Sequence, residues 1–337
     1  MKLEELSRAV EQGRNLSAEE AEGALTVILS EETDDGVIAG FLLALVQKGE
    51  TPEEILGFAR VMRRQAIPVK SRWEKWIDTA GTGGGVETFN ISTTAAFIIA
   101  GAGLPVAKHG NRALTSRCGS ADVLAELGVN IEKPPEVAER ALNEIGLAFM
   151  FAPIFHPSMK RVAKVRKELG RRTIFNMLGP LTNPSGAPYQ IIGVYAEGLT
   201  EKMALALAGL GCRKGWVVHS QDGLDELSTA ERSRVSEVEG AEVRTFYLDP
   251  AREGFPAADL SRLRSGTPAE NAGTLRGILE GKIRGPERQV AVLNAAAALH
   301  VAGLGSLAEA AGKAEETLDS GKALGKLSEL VRVYSEG

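Results

Sequence analysis

Three short stretches of the sequence carry residue types suited to handling a phosphorylated substrate. In the first, Asp78-Thr79-Ala80-Gly81-Thr82-Gly83-Gly84-Gly85 precedes Asn90-Ile91-Ser92-Thr93, which opens a helical pattern containing Ala96, Phe97, Ile98 and Ile99. Glycines admit positive φ and clear side chains from backbone N–H groups, while a helix start adds unpaired donors and partial positive charge. Strand, glycine loop and helix start therefore make a cradle for a polyanion. A glycine cluster alone is equally a sharp turn. A P-loop would need Gly-Lys-Ser/Thr, which is absent, and the third glycine of a dinucleotide fingerprint counted from Gly81 and Gly83 falls on Val86.

The second stretch runs from Lys108-His109-Gly110-Asn111-Arg112 through Ser116 and Arg117 to Cys118-Gly119-Ser120. Lysine offers a point charge, hydroxyls offer neutral donors, and Asn111 offers both a donor and an acceptor to an organic substrate. A solvated basic loop is the alternative. Ser120 reads as the cap of the following helix, with Val123, Leu124 and Leu127 on its apolar side and Gly128 as its stop. His109 reads as a loop-shaping hydrogen bonder rather than a base, and His156 as the lead-in to a helix. The third stretch, Asp222 to Ser228, places Asp225 beside Glu226 after an apolar strand; adjacent carboxylates there suit magnesium, although such a pair is commonly solvated surface.

The elements that must position these groups are legible in outline. The first 65 or so residues read as short helices: Ser17 with Glu20 and Thr51 with Glu54 form capping boxes, Pro52 takes a first helical position, and Ile55, Leu56, Ala59 and Met62 share one face. After a basic connector from Pro68 to Arg72, short apolar runs ended by glycine alternate with helical patterns, as a mostly parallel sheet requires. Candidate strands are 76–79, 105–108, 148–151, 190–194, 215–219 and 243–247. A helix over Pro157 to Leu169 carries Met159, Val162, Ala163 and Val165, has Arg166 in its last turns and stops at Gly170. The fold class expected is α/β, with a small N-terminal all-helical domain and a larger domain built on a mostly parallel sheet flanked by helices. Loops at the carboxyl ends of parallel strands face the ligand crevice, which brings the first two stretches together.

Composition narrows the rest. With 337 residues, 44% hydrophobic and 25% charged, the chain is globular and large enough for two modest domains. A formal net charge of -5 and scattered basic residues argue against nucleic-acid binding. Cys118 and Cys212 have no disulfide or zinc spacing and read as buried thiols. The charged start from Met1 to Arg14 and the lack of a long apolar run point to a cytoplasmic protein that neither is exported nor enters a membrane.

Taken in order, Gly81 to Thr93, Lys108 to Arg112 with Cys118-Gly119-Ser120-Ala121-Asp122, Arg171-Arg172-Thr173 before Asn176-Met177-Leu178-Gly179-Pro180-Leu181-Thr182-Asn183-Pro184, and Asp222 to Ser228 resemble the anthranilate phosphoribosyltransferases, from the N-terminal helices to about Val331. That resemblance implies transfer of phosphoribosyl from 5-phosphoribosyl 1-pyrophosphate to the anthranilate amine, in tryptophan biosynthesis. It implies that Gly81, Gly84, Gly85, Thr88, Asn90, Ile91, Ser92, Thr93, Lys108, His109, Gly110, Asn111, Arg112, Ser116 and Ser120 bind the phosphoribosyl donor. Gly81, Asn111 and Arg166 would bind anthranilate, with Arg166 answering its carboxylate. Ser92, Asp225 and Glu226 would hold magnesium, two ions per monomer, and no side chain would act as nucleophile or base. A homodimer joined through the helical domain is also implied, with that domain spanning 1–70, completed near 157–185, and the α/β domain spanning 73–337. The chain departs from the family in one place: the family commonly reads Gly-Thr-Gly-Gly-Asp-Gly, whereas here Gly85 follows Gly84 with no Asp and the loop to Thr88 is one residue shorter. The rival readings are a pyrimidine nucleoside phosphorylase of similar architecture, which Lys108 to Arg112 and the Asp225-Glu226 pair disfavour, and a non-catalytic nucleic-acid-binding relative, which the net charge disfavours.

Overall fold

Both capping boxes form, and they fix where the first helices begin. The computed structural model describes residues 2–30, 32–113 and 117–336. Its N-terminal helices are α1 (Leu3–Glu11), α2 (Ala18–Ile28), α3 (Asp35–Lys48) and α4 (Pro52–Gln65). Ser17 and Thr51 each accept from the backbone N–H of the glutamate three residues on, and Glu20 and Glu54 reach back to the cap N–H. Glu54 is fully buried and compensated: Oε1 accepts from the Leu16 N–H at 2.9 Å and Oε2 pairs with Lys48 Nζ at 3.0 Å.

The remaining elements are β1 (Ile77–Gly81), α5 (Ile91–Gly101), β2 (Val106–Gly110), α6 (Ser120–Glu126), α7 (Pro135–Ile145), β3 (Leu147–Phe151), α8 (Ala152–Phe155), α9 (Lys160–Leu169), α10 (Phe175–Leu181), β4 (Tyr189–Gly193), α11 (Leu199–Gly209), β5 (Lys214–Ser220), β6 (Ser233–Glu239), β7 (Glu242–Leu248), α12 (Pro268–Leu279), α13 (Pro286–Val301), α14 (Leu307–Asp319) and α15 (Lys322–Ser335). The strands form one seven-stranded sheet in the order β3-β2-β1-β4-β5-β6-β7. Strands β1 to β5 pair in parallel, and β6 and β7 close the far edge antiparallel. The chain winds outward from β1 to β3 and then returns to the other side of β1 with β4. That reversal opens a crevice at the carboxyl ends of β1 and β4, the usual ligand position in such sheets.

Side-chain alternation sends each strand's residues to two apolar cores. Ile191, Trp216 and Val218 join the core under α5, α7 and α12–α15, while Ile192 and Val217 join a second core. That second core also contains Leu25, Phe41 and Phe58 of the N-terminal helices, Val162 and Val165 of α9, and Phe175 and Leu178 of α10. The long helical layer therefore sits on the same sheet face as α9 and α10.

The structure departs from the sequence reading in three places. Strand β6, Ser-Arg-Val-Ser-Glu-Val-Glu, has no apolar run to announce it, yet Ser233, Ser236 and Glu237 are buried within the sheet. Their polarity is satisfied: the Trp216 indole N–H donates to Glu237 at 2.6 Å, and Ser236 bonds Thr245 at 2.9 Å. The segment after His156 begins as a 3-10 turn over Pro157–Met159, and the α-helix itself starts only at Lys160. Gly119, not Ser120, caps α6, and Asp122 accepts from the N–H groups of Gly119 and Ala113 at 2.9 Å each. Among the described residues no helix is long and apolar enough to cross a membrane.

Candidate active site

The glycine loop leaves β1 at the sheet reversal and packs directly on the loop that carries Asp225. A Cβ added at Gly81 would lie 3.0 Å from an Asp225 carboxylate oxygen, and one at Gly85 would lie 2.7 Å from the Gly223 carbonyl oxygen and 3.0 Å from the Asp225 N. Across β4, a Cβ at Gly193 would lie 1.6 Å from the Asp225 carbonyl oxygen, a contact no side chain could survive. The Val86 N–H donates to Gly223 O at 3.0 Å, and the Thr82 N–H donates to Gly193 O at 2.9 Å. The glycines thus let two loops and a strand end approach backbone to backbone, beyond whatever they present to a ligand. Gly83 and Gly84 themselves run at φ +66° and +88°.

Behind the loop sits a buried charge cluster. Lys108 is 3% exposed; its ammonium donates to Thr79 O and, at 3.3 Å, to Ser92 Oγ. Burial pulls the ammonium below the usual lysine range, with Asp78 and Glu226 acting in the opposite direction. Burial pushes the Glu226 carboxyl well up, reinforced by the neighbouring Asp225 charge and opposed by Lys108 and by hydrogen bonds from Ser92. Asp225 is raised by burial too, partly offset by backbone N–H groups of Asp225 and Gly83. Asp78 is raised to about 6 by burial; one of its oxygens accepts from the His109 N–H at 3.2 Å while the other has no well-formed hydrogen bond among the described residues.

Several predicted residues fall around this cluster in unequal roles. Asn90 precedes α5, donates its amide to Cys118 O at 3.2 Å and accepts from Asn271 at 3.1 Å, so it ties the glycine loop to the second loop and to α12. Ile91 and Thr93 are buried, and the Ile91 N–H is already donated to Phe89 O at 2.7 Å, so Ile91 shapes the helix start rather than offering a free donor. Thr88 forms an isolated antiparallel bridge with Arg264. Ser120 Oγ donates to Asn111 O at 3.4 Å and lies where a Cβ on Gly110 would reach it at 2.2 Å. Arg112 is drawn away by Asp122 at 3.2 Å and Glu132 at 3.3 Å. His109 is buried, with Nδ1 3.1 Å from Gly179 O, and burial pulls its pKa down to about 3, aided by the nearby His156. It is therefore a neutral structural imidazole. Arg166 on α9 stands apart from this cluster, half-buried above the Phe175 ring at 5.4 Å, and makes no ion pair among the described residues. Ser116 lies outside the described residues.

Comparison with known proteins decides the family. Residues 4–66 match the glycosyl transferase family, helical bundle domain, and residues 74–324 match the glycosyl transferase family, a/b domain. An anthranilate phosphoribosyltransferase from Moorella thermoacetica is 50% identical, covering 95% of this chain and 94% of that protein, and one from Syntrophobacter fumaroxidans is 51% identical, covering 96% and 97%. The chain belongs to the anthranilate phosphoribosyltransferase family. A crystal structure of the Thermus thermophilus family member superposes with a TM-score of 0.92 at 42% identity, covering 98% of this chain and 99% of that one. The Saccharomyces cerevisiae family member, solved in complex with PRPP and Mg, superposes with a TM-score of 0.88 at 31% identity, covering 96% and 94%.

The donor set in this family member fits a magnesium ion. Asp225, Glu226 and the Ser92 hydroxyl are hard oxygen donors, and burial of both carboxylates, with the Asp225 charge beside Glu226, leaves the pair in want of a cation. Among the described residues no third His, Cys, Asp or Glu completes a protein-only cage. Magnesium accepts such a site because it keeps water and phosphate oxygens as its remaining ligands. Two members of the site escaped the sequence reading: Asp78, whose burial follows only from its register beside Gln190, and Arg172, which donates to Gly84 O at 2.8 Å. Both lay within motifs read from the sequence, but neither was given a role there.

Proposed function

We infer that the chain joins the anthranilate amine to the anomeric carbon of 5-phosphoribosyl 1-pyrophosphate, releasing pyrophosphate and giving N-(5-phosphoribosyl)anthranilate for tryptophan biosynthesis. The observation that carries this reading is the glycine loop at the sheet reversal, seated backbone to backbone on the Asp225-Glu226 loop. The amine nitrogen forms the new bond to the sugar carbon, the carbon–oxygen bond breaks with its electron pair leaving on pyrophosphate, and the nitrogen loses a proton to water. An arylamine is already neutral near pH 7, so no strong base is needed, in keeping with a His109 that stays unprotonated inside the protein.

The residues divide the work. Gly81, Gly84, Gly85, Thr88 and Asn90 to Thr93 would bind the donor through N–H and hydroxyl groups, and Lys108, His109 and Gly110 to Arg112 with Ser116 and Ser120 would frame its other side. Lys108 acts from behind the loop, where its bonds to Thr79 and Ser92 fix both the β1 end and the α5 start. Arg166, a cation with no ion pair among the described residues, would take the anthranilate carboxylate, with Asn111 and Gly81 beside the ring. Asp225, Glu226 and Ser92 would hold magnesium, with two ions per monomer. When bound, that ion supplies positive charge to the departing pyrophosphate. Holding two reactants in line is itself worth several kcal/mol, roughly 7 or more in well-oriented systems.

The same reading divides the chain at about residues 70 to 73 into a helical domain, completed near 157–185, and an α/β domain. The apolar cluster that α1–α4 share with α9 and α10 supports this division. It also takes the enzyme to be a homodimer joined through the helical domain, which sedimentation of the purified protein would test. Loss of anthranilate fluorescence on adding the phosphoribosyl donor, first with magnesium and then with EDTA, tests the reaction. Magnesium-dependent loss is expected; no loss at high concentrations of both substrates would overturn the assignment.

A further inference from the structure

Arg172 lies in the loop between α9 and α10, two residues past the Gly170 that ends α9, and it reaches across the crevice. Its guanidinium donates to Gly84 O at 2.8 Å and stacks over the Tyr195 ring at 4.0 Å. Tyr195, in the loop after β4, donates its own N–H to Thr82 Oγ1 at 3.1 Å. Three loops from three parts of the chain therefore meet around one cation. The fit is close: a Cβ on Gly84 would lie 2.0 Å from Arg172 Nη2, so the guanidinium fills the space a side chain would take. Among the described residues the guanidinium has no carboxylate within ion-pair distance.

The geometry sets the direction of the peptide that follows. In a trans peptide the carbonyl and the next N–H point to opposite sides. Anchoring Gly84 O on Arg172 turns the Gly85 N–H away from Arg172. Among the described residues, the N–H groups of Gly84 and Gly85 have no protein acceptor. Two successive free donors in a glycine turn form a concavity for an anion. Glycine is also the residue least able to hold such a turn unaided, because its backbone has the most freedom to lose.

We propose that Arg172 is a positioning residue for the phosphoribosyl donor, clasping the glycine loop through Gly84 O on a Tyr195 platform so that the Gly84 and Gly85 N–H groups are set for its phosphate oxygens. This rests on the function inferred above. The clasp acts through the backbone, so Tyr195 matters as much as the charge does. Lysine cannot replace arginine, because an ammonium does not stack flat while donating sideways.

Steady-state kinetics and hydrogen exchange test the clasp. Arg172→Ala is expected to raise the KM for the phosphoribosyl donor about tenfold while leaving that for anthranilate within about twofold, and Arg172→Lys to rescue little of it. Tyr195→Leu, which keeps the charge, is expected to raise the same KM about threefold or more, and the double variant to be no worse than Arg172→Ala, because the two side chains act as one unit. In the free protein, Arg172→Ala is expected to speed exchange in peptides covering 83–88 and leave α13 unchanged. Wild-type kinetics for Tyr195→Leu beside an impaired Arg172→Ala would assign Arg172 to direct contact and overturn the clasp, as would multiplicative effects in the double variant. Unchanged exchange in 83–88 would overturn it independently of any substrate. Failure of the wild-type enzyme to consume anthranilate would instead strike the inferred function, leaving the exchange arm to judge the clasp.

Discussion

Arg166 is held over the ring of Phe175 with burial lowering its pKa, and no carboxylate of the described chain answers it. A half-buried cation in that state is a ready partner for a substrate carboxylate, and a charged hydrogen bond contributes about 1.5–3 kcal/mol. Arg166→Ala is accordingly expected to raise the anthranilate KM about tenfold or more while moving the donor KM about twofold at most, and equal effects on both would remove its role. Asp225→Asn combined with Glu226→Gln is expected to nearly abolish turnover at low magnesium; wild-type rates in the fluorescence assay would remove the metal assignment. His156 offers a different reading of the same burial. Among the described residues its ring nitrogens have no well-formed hydrogen bond, it lies 5.1 Å from His109 between ring centres, and burial lowers it to about 4. The unfolded chain takes up a proton near pH 6.5 that the folded chain refuses until near 4, so this histidine's contribution is present above 6.5 and is lost as pH falls. Asp78, raised to about 6, works in the opposite direction over part of that range, so only a difference measurement isolates the histidine. Between pH 7 and 5, His156→Gln should gain about 2 kcal/mol relative to wild type in urea unfolding. A constant difference would show that His156 titrates normally. Residue types singled out Asp225 and Glu226 in the sequence, and the family resemblance singled out Arg166, but neither showed their burial. Lys108, expected at the end of a strand and as part of a basic loop, is a buried strut, because its bonds to Thr79 and Ser92 follow only from how β2 packs beside β1.

The glycine loop and the acidic loop meet as elements, and the meeting depends on Gly193 at the end of β4. A Cβ there would overlap the Asp225 carbonyl oxygen at 1.6 Å, and backbone cannot yield as a flexible side chain can. Gly193→Ala is expected to push the acidic loop off the strand end and lower kcat/KM about a hundredfold, since small misplacements of positioned groups carry penalties of that size. Gly198→Ala, at the start of α11 with no atom within 4 Å of the added Cβ and an ordinary φ of -66°, is the control and should be near wild type. Equal activities would show that the contact carries no function. Elements with strong local signals were legible: the capping boxes fixed α2 and α4, and the apolar runs located six strands within two residues at their starts. Strand β6 was not, because its buried serines and glutamate are stabilised by partners on the neighbouring strands, Thr245 on β7 and Trp216 on β5, which a local hydropathy pattern does not show. The cap of α6 was misplaced by one residue for a related reason: Asp122 supplies the acceptor that Ser120 was expected to supply, and a glycine precedes the helix.

Across the whole molecule, the helical layer and the site are joined through aromatic packing rather than through the connector alone. Phe58 on α4 is fully buried and meets Phe175 edge-on at 6.0 Å between ring centres. Phe175 begins α10 three residues after Arg172 and carries Arg166 on its face. One ring thus links the N-terminal helices to the residue proposed for anthranilate, and its neighbour in sequence clasps the glycine loop. Removing the Phe58 ring leaves a cavity that the surrounding helices fill only in part, so Phe58→Ala should lower stability by about 3–5 kcal/mol in chemical denaturation. At temperatures where the variant remains folded, Phe175 loses its edge contact and Arg166 loses its fixed platform. The anthranilate KM should then rise about threefold or more while kcat changes little, the split expected when a binding group is loosened rather than a reacting one removed. A matched loss of stability at Phe41, which is also fully buried in the helical layer, separates the two effects. Phe41→Ala should destabilise comparably and leave the anthranilate KM unchanged, because Phe41 makes no ring contact with Phe175. If both variants raised that KM alike, the coupling would be a general loosening of the helical layer, and the route through Phe175 would be wrong.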